Sequence, residues 1–402
     1  LICADGTANR WESRSLPFFL LTRVSNTNLN LYRLRFFFTL IVKYITIITL
    51  YLLIIFSLQS VMKIGILFML LFLSTWSLNA QVGGESVYKF LNISTSARQT
   101  ALGGKILTLV NDINQPLWNP SVITEKLENQ LAVNYSSYLT GINIGSVSFA
   151  KRFSRRFGTL HGGIQYVNYG KLIEADENGN VTGTFNANDI AISIGYAINL
   201  PWTNVFAGAN LKFVNSTISS YSSSGVVADF GILYNNPYKP YIFTLVIRNV
   251  GTQIQSFNGT QEKLPVEVLI GGSYQLENVP VKWYLTIDNL QQWDVSVSNP
   301  SNQTSDIEGN ITTEKISFLN NAFRHFIVGV ELFPESAINL RLGYNFRKSQ
   351  EYTLQNVRTF GGISFGFGLK MNNFKLNYAY SKVHTASNVS TFSLQINLDR
   401  SR

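Results

Sequence analysis

Cysteine is nearly absent: the only one is Cys3, so nothing after Met62 can form a disulfide, offer a thiolate nucleophile or build a cysteine metal site. Histidine is scarce too. His161, His325 and His384 fall on separate predicted strands without Glu or Asp at ligand spacing, and no metal site is expected from them. Charge is thin, at 14% of residues, and the net +9 is weighted to the front. Residues 1–80 hold seven Lys/Arg and two Asp/Glu, leaving 25 against 21 in the rest of the chain, so no basic stripe for nucleic acid survives there. Long apolar runs are missing as well: after Gln81 no stretch reaches the ~20 residues that a membrane helix needs.

What is abundant is aromatic residues, at 13%, and glycine, with 29. That mixture suits short, half-apolar strands. The first eighty residues stand apart from them. From Met62 the chain reads as a secretory signal peptide, with Lys63 as its charged start, Ile64 to Leu73 as its apolar centre and Leu78-Asn79-Ala80 before the cut, which predicts cleavage between Ala80 and Gln81. Signal peptides act from the N-terminus, so Met62 reads as the true start and residues 1–61 as an over-extended gene start outside the fold. The competing reading is a membrane-spanning helix over Phe36 to Val61, interrupted by Lys43.

Two-residue alternation dominates the mature chain. Ile338, Leu340, Leu342, Tyr344 and Phe346 share one strand face while Asn339, Arg341, Gly343, Asn345 and Arg347 share the other. Phe374, Leu376, Tyr378 and Tyr380 oppose Lys375, Asn377, Ala379 and Ser381 in the same way. Fourteen such segments are expected, near 130–138, 143–153, 157–170, 187–198, 204–215, 225–235, 241–249, 265–275, 281–291, 323–333, 337–347, 358–370, 373–383 and 390–398. An even set of alternating strands behind an export signal predicts an all-β fold, a transmembrane antiparallel barrel of about fourteen strands over residues 130–398. Its greasy face meets outer-membrane lipid and its polar face lines the lumen. The last strand should close on the first near Leu131 to Tyr135, and the longest link, about Gln292 to Asn321, reads as polar and extracellular.

Residues 81–129 do not alternate. A barrel of this strand count has a lumen wider than its own side chains can fill, and the segment is expected to plug it. Arg98, Lys105 and Asp112 are the plug charges, with Asp229, Arg341, Arg347 and Lys375 as lumen-facing partners; a periplasmic tail is the plainer alternative. Gly103-Gly104 and Asn119-Pro120 mark turns. Gly361-Gly362 and Gly366 to Gly368 read as packing positions within a strand. Ser364 or Ser381 beside His384 would be the only nucleophile and base to imagine, and serine is too common here for that pairing to require an enzyme.

Three stretches carry a resemblance to a known family: Val87-Tyr88-Lys89-Phe90-Leu91, Ser96 to Gly104 (SARQTALGG) and Trp118-Asn119-Pro120-Ser121. They resemble the start of the PorV/PorQ family of FadL-like outer-membrane barrels in the type IX secretion system of the Bacteroidetes. The resemblance implies a fourteen-stranded barrel with its N-terminal segment inside and membership of a cargo-attachment complex. The implied neighbours are a PorZ-like surface protein, a PorU-like sortase, a PorV-like barrel and lipopolysaccharide. FadL-like architecture also serves transporters of hydrophobic small molecules, which is the second expectation. Neither requires a cofactor.

Overall fold

The computed structural model describes residues 86–399 apart from 139–140, 155–156, 202, 296–303, 306–310, 313–316, 352–359 and 385–386. The signal-peptide and gene-start expectations, with Ala80 and Gln81, lie outside the described residues.

Fourteen antiparallel strands close into a barrel. They are β1 (Gln130–Ser137), β2 (Asn143–Ser154), β3 (Gly158–Ala175), β4 (Val181–Leu200), β5 (Val205–Ile218), β6 (Tyr221–Asn235), β7 (Tyr241–Gln255), β8 (Glu267–Gln275), β9 (Val281–Ile287), β10 (Phe326–Leu332), β11 (Ile338–Asn345), β12 (Ile363–Met371), β13 (Phe374–His384) and β14 (Ser387–Asn397). Each overlaps one expected segment, but β3, β4, β6 and β7 run four to six residues past theirs at the outer end, and β9 and β12 stop four or five residues short there. The last pairs with the first, Tyr135 opposite Phe392 and Leu131 opposite Ile396, so no strand edge is left open to hydrocarbon. Alternation sets the walls: on β11 Leu340 and Leu342 are exposed outward while Asn339 and Arg341 are buried inward. A closed sheet with an apolar exterior of this kind is an outer-membrane barrel, since each backbone group in the hydrocarbon is paired and only greasy side chains meet lipid.

At one end every link is a short turn, such as 236–240 and 372–373, whereas the other end carries the long stretches 256–266, 288–325 and 346–362 among short turns such as 219–220. Short turns belong to the periplasmic end and long loops to the outside. At a tilt of about 35°, one strand spacing and one residue of rise give nearly equal steps along the axis, so a level line drops about one residue from each strand to the next. Carried round from Gln130 through the pairings, the line stays within about three residues of every strand end on the periplasmic side, and that rim is even.

The outer rim is not even. A level line from Asn143 crosses β3 to β7 near residues 167, 190, 214, 226 and 250, with strand to spare above it. On the other flank the line runs near residues 291, 323, 348 and 360, where β9 stops about four residues short of it and β10, β11 and β12 about three. The wall is notched there by about 8 Å.

Two short helices stand at the notch: α2 (Phe318–Phe323) and α3 (Phe346–Glu351), while α1 (Ala97–Ala101) lies inside the barrel. Three sequence expectations change as a result. The strand expected over 337–347 ends at Asn345, so Arg347 stands on a helix. Gly361 and Gly362 form a turn ahead of β12, where Gly362 takes a φ of 79°. The 292–321 link, expected to be polar, carries a small Thr304–Ser305 and Ile311–Thr312 hairpin and exposes Trp293, Phe318 and Leu319.

Candidate functional site

The 86–129 segment folds inside the lumen as α1 joined to short 3-10 turns, and most of its residues are buried. It does not alternate because it makes no ladder; its backbone groups are satisfied by local turns and by the wall. The Ala97 amide donates to Ser393 Oγ at 2.8 Å, Gln165 donates to the Phe90 carbonyl at 2.9 Å and Asn210 to that of Pro116 at 2.6 Å. Two inner-wall glycines let it lie flat. A Cβ on Gly343 would sit 2.2 Å from the Gly103 nitrogen, and one on Gly208 would sit 2.4 Å from the Pro120 carbonyl carbon. Gly103 itself is in the left-handed region, at a φ of 105°.

Charge fixes the plug against the notched flank. Arg98 meets Glu331 with two donors, at 3.2 and 2.8 Å, and Asn111 at 2.7 Å. The same carboxylate accepts from Arg341 at 2.8 Å and from the Tyr284 hydroxyl at 2.8 Å, and Arg341 reaches Asn377. Lys105 pairs with Glu267 and, at 2.8 Å, with Asp288, which also holds Arg347 at 2.6 Å. Burial alone would lower the proton affinity of Arg98 and of Lys105. Their carboxylate partners, Glu331 for the first and Asp288 with Glu267 for the second, outweigh it and raise both. Buried ion pairs of this kind contribute little net stability, but they dictate position, because breaking one strands a charge.

Of the expected site residues, then, Arg98 and Arg341 meet, though through Glu331, and Lys105 and Arg347 meet through Asp288. Asp112 accepts from Gln395 at 2.7 Å and from its neighbour Asn114. Asp229 faces the lumen but pairs along the wall with Lys212 at 2.5 Å. Lys375 faces inward near the periplasmic rim, within electrostatic reach of Asp112 and Arg98. The bridging acids Glu331, Glu267 and Asp288 were missed, and parity carried the signal for two of them. Glu331 shares its strand face with Ile327 and Gly329, and Glu267 with Leu269 and Gly271, as Arg341 does with Asn339 and Gly343. Ser364, raised above as an imaginable nucleophile, donates to the Ala101 carbonyl at 3.1 Å. Of the histidines, His161 is buried against the lumen and His325 rests between the carbonyls of Asp288 and Trp293. Among the described residues no group of acids and histidines could hold a metal.

The opposite flank grips the plug differently. Val87, Tyr88, Phe90 and Leu91 fill an apolar chamber lined by Ile144, Val167, Ala191, Val214 and Val227 of β2 to β6. Of their side chains Tyr88 makes a polar contact, a 2.6 Å hydrogen bond shared with Ser223. Between the flanks Arg248 lies 3.7 Å over the Trp118 ring and donates to the Leu91 carbonyl. At the periplasmic end a cavity of about 810 Å³ opens beside Val110 and Lys126 of the plug.

No family model and no curated protein matches the chain. Among solved structures it is similar to the toluene transporter TbuX of Ralstonia pickettii, at 13% identity and a TM-score of 0.46, over 77% of this chain and 99% of that one. It is similar to a mutant of the monoaromatic hydrocarbon channel TodX, at 12% identity and 0.45, over 77% and 98%. Omp33 of Acinetobacter baumannii follows at 8% identity and 0.32, over 68% and 99%. These are likenesses of outer-membrane barrels and concern the fold.

Proposed function

We propose that the chain is a non-enzymatic outer-membrane barrel that takes a hydrophobic small molecule into its lumen. The observation that carries this is the apolar chamber of Ile144, Val167, Ala191, Val214 and Val227 on an inner wall that in a water-filled barrel would be polar. It lies toward the outer end of the strands and is filled by plug side chains that meet it by apolar contact, while Tyr88 bonds Ser223 and the Phe90 and Leu91 carbonyls accept from Gln165 and Arg248. A hydrophobic solute of similar size would gain the same burial by taking that segment's place. The test is partition of an apolar fluorescent probe into the purified barrel. Tyr88→Ala, which empties part of the chamber, is expected to strengthen binding, and Val167→Arg to abolish it; equal binding by all three proteins would sink the reading.

A second reading is favoured by a different observation. The plug is cross-pinned by Arg98, Lys105 and their carboxylates and pressed onto Gly343 and Gly208, as a permanent seal would be. Together with the N-terminal resemblance, this supports a sealed membrane anchor for a PorZ-like surface protein of the type IX attachment complex, beside PorU-like and PorV-like components. Deleting the gene separates the two: lost uptake with surface proteins intact supports transport, whereas surface proteins released from the cell support the anchor.

A further inference from the structure

The notch in the outer rim leaves β9 to β12 about three or four residues below the level at which the other flank turns polar. On that other flank the turn is sharp. Tyr135, Tyr166, Ile190 and Phe213 face outward, and Asn143, Asn168, Asn188 and Asn215 follow just above them on the same face. The hydrocarbon boundary therefore runs at this height, and about 8 Å of the notched flank below it has no strand to meet lipid.

What occupies that space is aromatic. Phe323 of α2 lies 6.3 Å from Phe326, the outward residue that opens β10, and stacks at 5.8 Å on Phe346, which continues the outward face of Leu342 and Tyr344. Phe318 and Leu319 of the same helix are 69% and 67% exposed, and Phe318 stacks at 4.9 Å on Trp293, itself half exposed. The other side of α2 is polar and turned inward: Asn321 donates to the Trp293 carbonyl, and Arg324 and His325 are buried just beyond the helix. A six-residue helix is about 9 Å long and ~10 Å wide, so in either orientation it is thick enough to close a gap of this height.

We propose that α2, with Trp293 and Phe346, is a membrane-embedded patch of wall, and that the partner on Phe318, Leu319 and Phe323 is the acyl chains of the outer leaflet. The patch is continuous, through Phe323, Phe326 and Phe346, with the lipid-facing surface of β10 and β11. The helix pairs part of its backbone where the ladders have ended, the Asn321 amide donating to the Ser317 carbonyl and the Arg324 amide to that of Asn321.

The test uses the whole barrel in phosphatidylcholine vesicles carrying brominated acyl chains. Phe318→Cys and Leu319→Cys are each labelled with bimane in a Cys3→Ser background, with Leu342→Cys as the lipid-wall reference and Asn178→Cys, at a hairpin tip, as the aqueous one. Labels at 318 and 319 are expected to be quenched several-fold more than at 178, and more by bromine near the headgroup than near the chain end. The second site keeps the answer open if the first variant fails to fold. Quenching by aqueous iodide and not by bromine, at either folded site, would overturn the proposal and mark the patch as one that awaits a protein.

Discussion

The two flanks of this barrel hold the same plug by different physics. The tall flank, β2 to β6, offers Val167 and Val214 to Phe90 and Leu91, a grip that is non-directional and scales with buried area. The notched flank, β8 to β11, offers Glu267 and Glu331 to Lys105 and Arg98, a grip that fixes geometry and fails abruptly when one partner is removed. Outside, the pattern reverses: asparagines cap the tall wall while Phe323 and Phe346 cap the short one. A segment held mainly by contact at one end and by charge at the other can release its apolar end first: Arg248 would lose the Leu91 carbonyl but keep Glu267, so no ion pair breaks.

This difference can be broken at its strongest point. Glu331→Gln leaves Arg98 and Arg341 facing one another without a counter-charge, and is expected to cost about 3–5 kcal/mol, read as a lower urea midpoint of the refolded barrel. Next in size is Gly343→Ala, whose Cβ would meet plug backbone; overpacking of about 1–3 kcal/mol is expected, with faster protease cutting within 97–104. On the tall flank Tyr88→Phe removes one hydrogen bond from Ser223, which keeps its bond to the Gln255 carbonyl, so a loss of only about 1 kcal/mol is expected. If Tyr88→Phe proved as costly as Glu331→Gln, the contrast between the flanks would be wrong.

The barrel was legible because its signal is local. Ile338 to Asn345 alternates whatever surrounds it, and closure follows from the lack of any other way to pair backbone in lipid. The plug charges Arg98 and Lys105 were legible as charges in a segment that cannot face lipid. Their partners were not, because choosing Glu331 over Asp229 depends on which strand lies across the lumen, a property of ring order and shear that no stretch of sequence carries. The notch was hidden for a similar reason. Alternation continues from Tyr344 to Phe346 after the ladder has ended, so a helix that carries the outward face onward reads as more strand.

The smallest expected effect lies where plug and notch meet. Lys348 of α3 has its ammonium pulled down to about 8, by burial first and then by the charge of Lys105, against the attraction of Glu351 and Asp288. The folded barrel thus binds this proton less tightly than the unfolded chain, whose lysine titrates near its ordinary 10.5. Stability contributed by this residue is therefore lowest below pH 8 and rises as pH climbs from about 8 toward 10.5. Lys348 is half-buried, and solvent limits the gain to roughly 1 kcal/mol or less. Tyrosines also ionise in that window, so the measurement is a difference: the shift in urea midpoint between pH 7.5 and 10 for the wild type, less the same shift for Lys348→Met. A positive remainder is expected. A remainder of zero would mean that Lys348 is hydrated in the outer mouth and that the charge grip of the notched flank ends at Lys105.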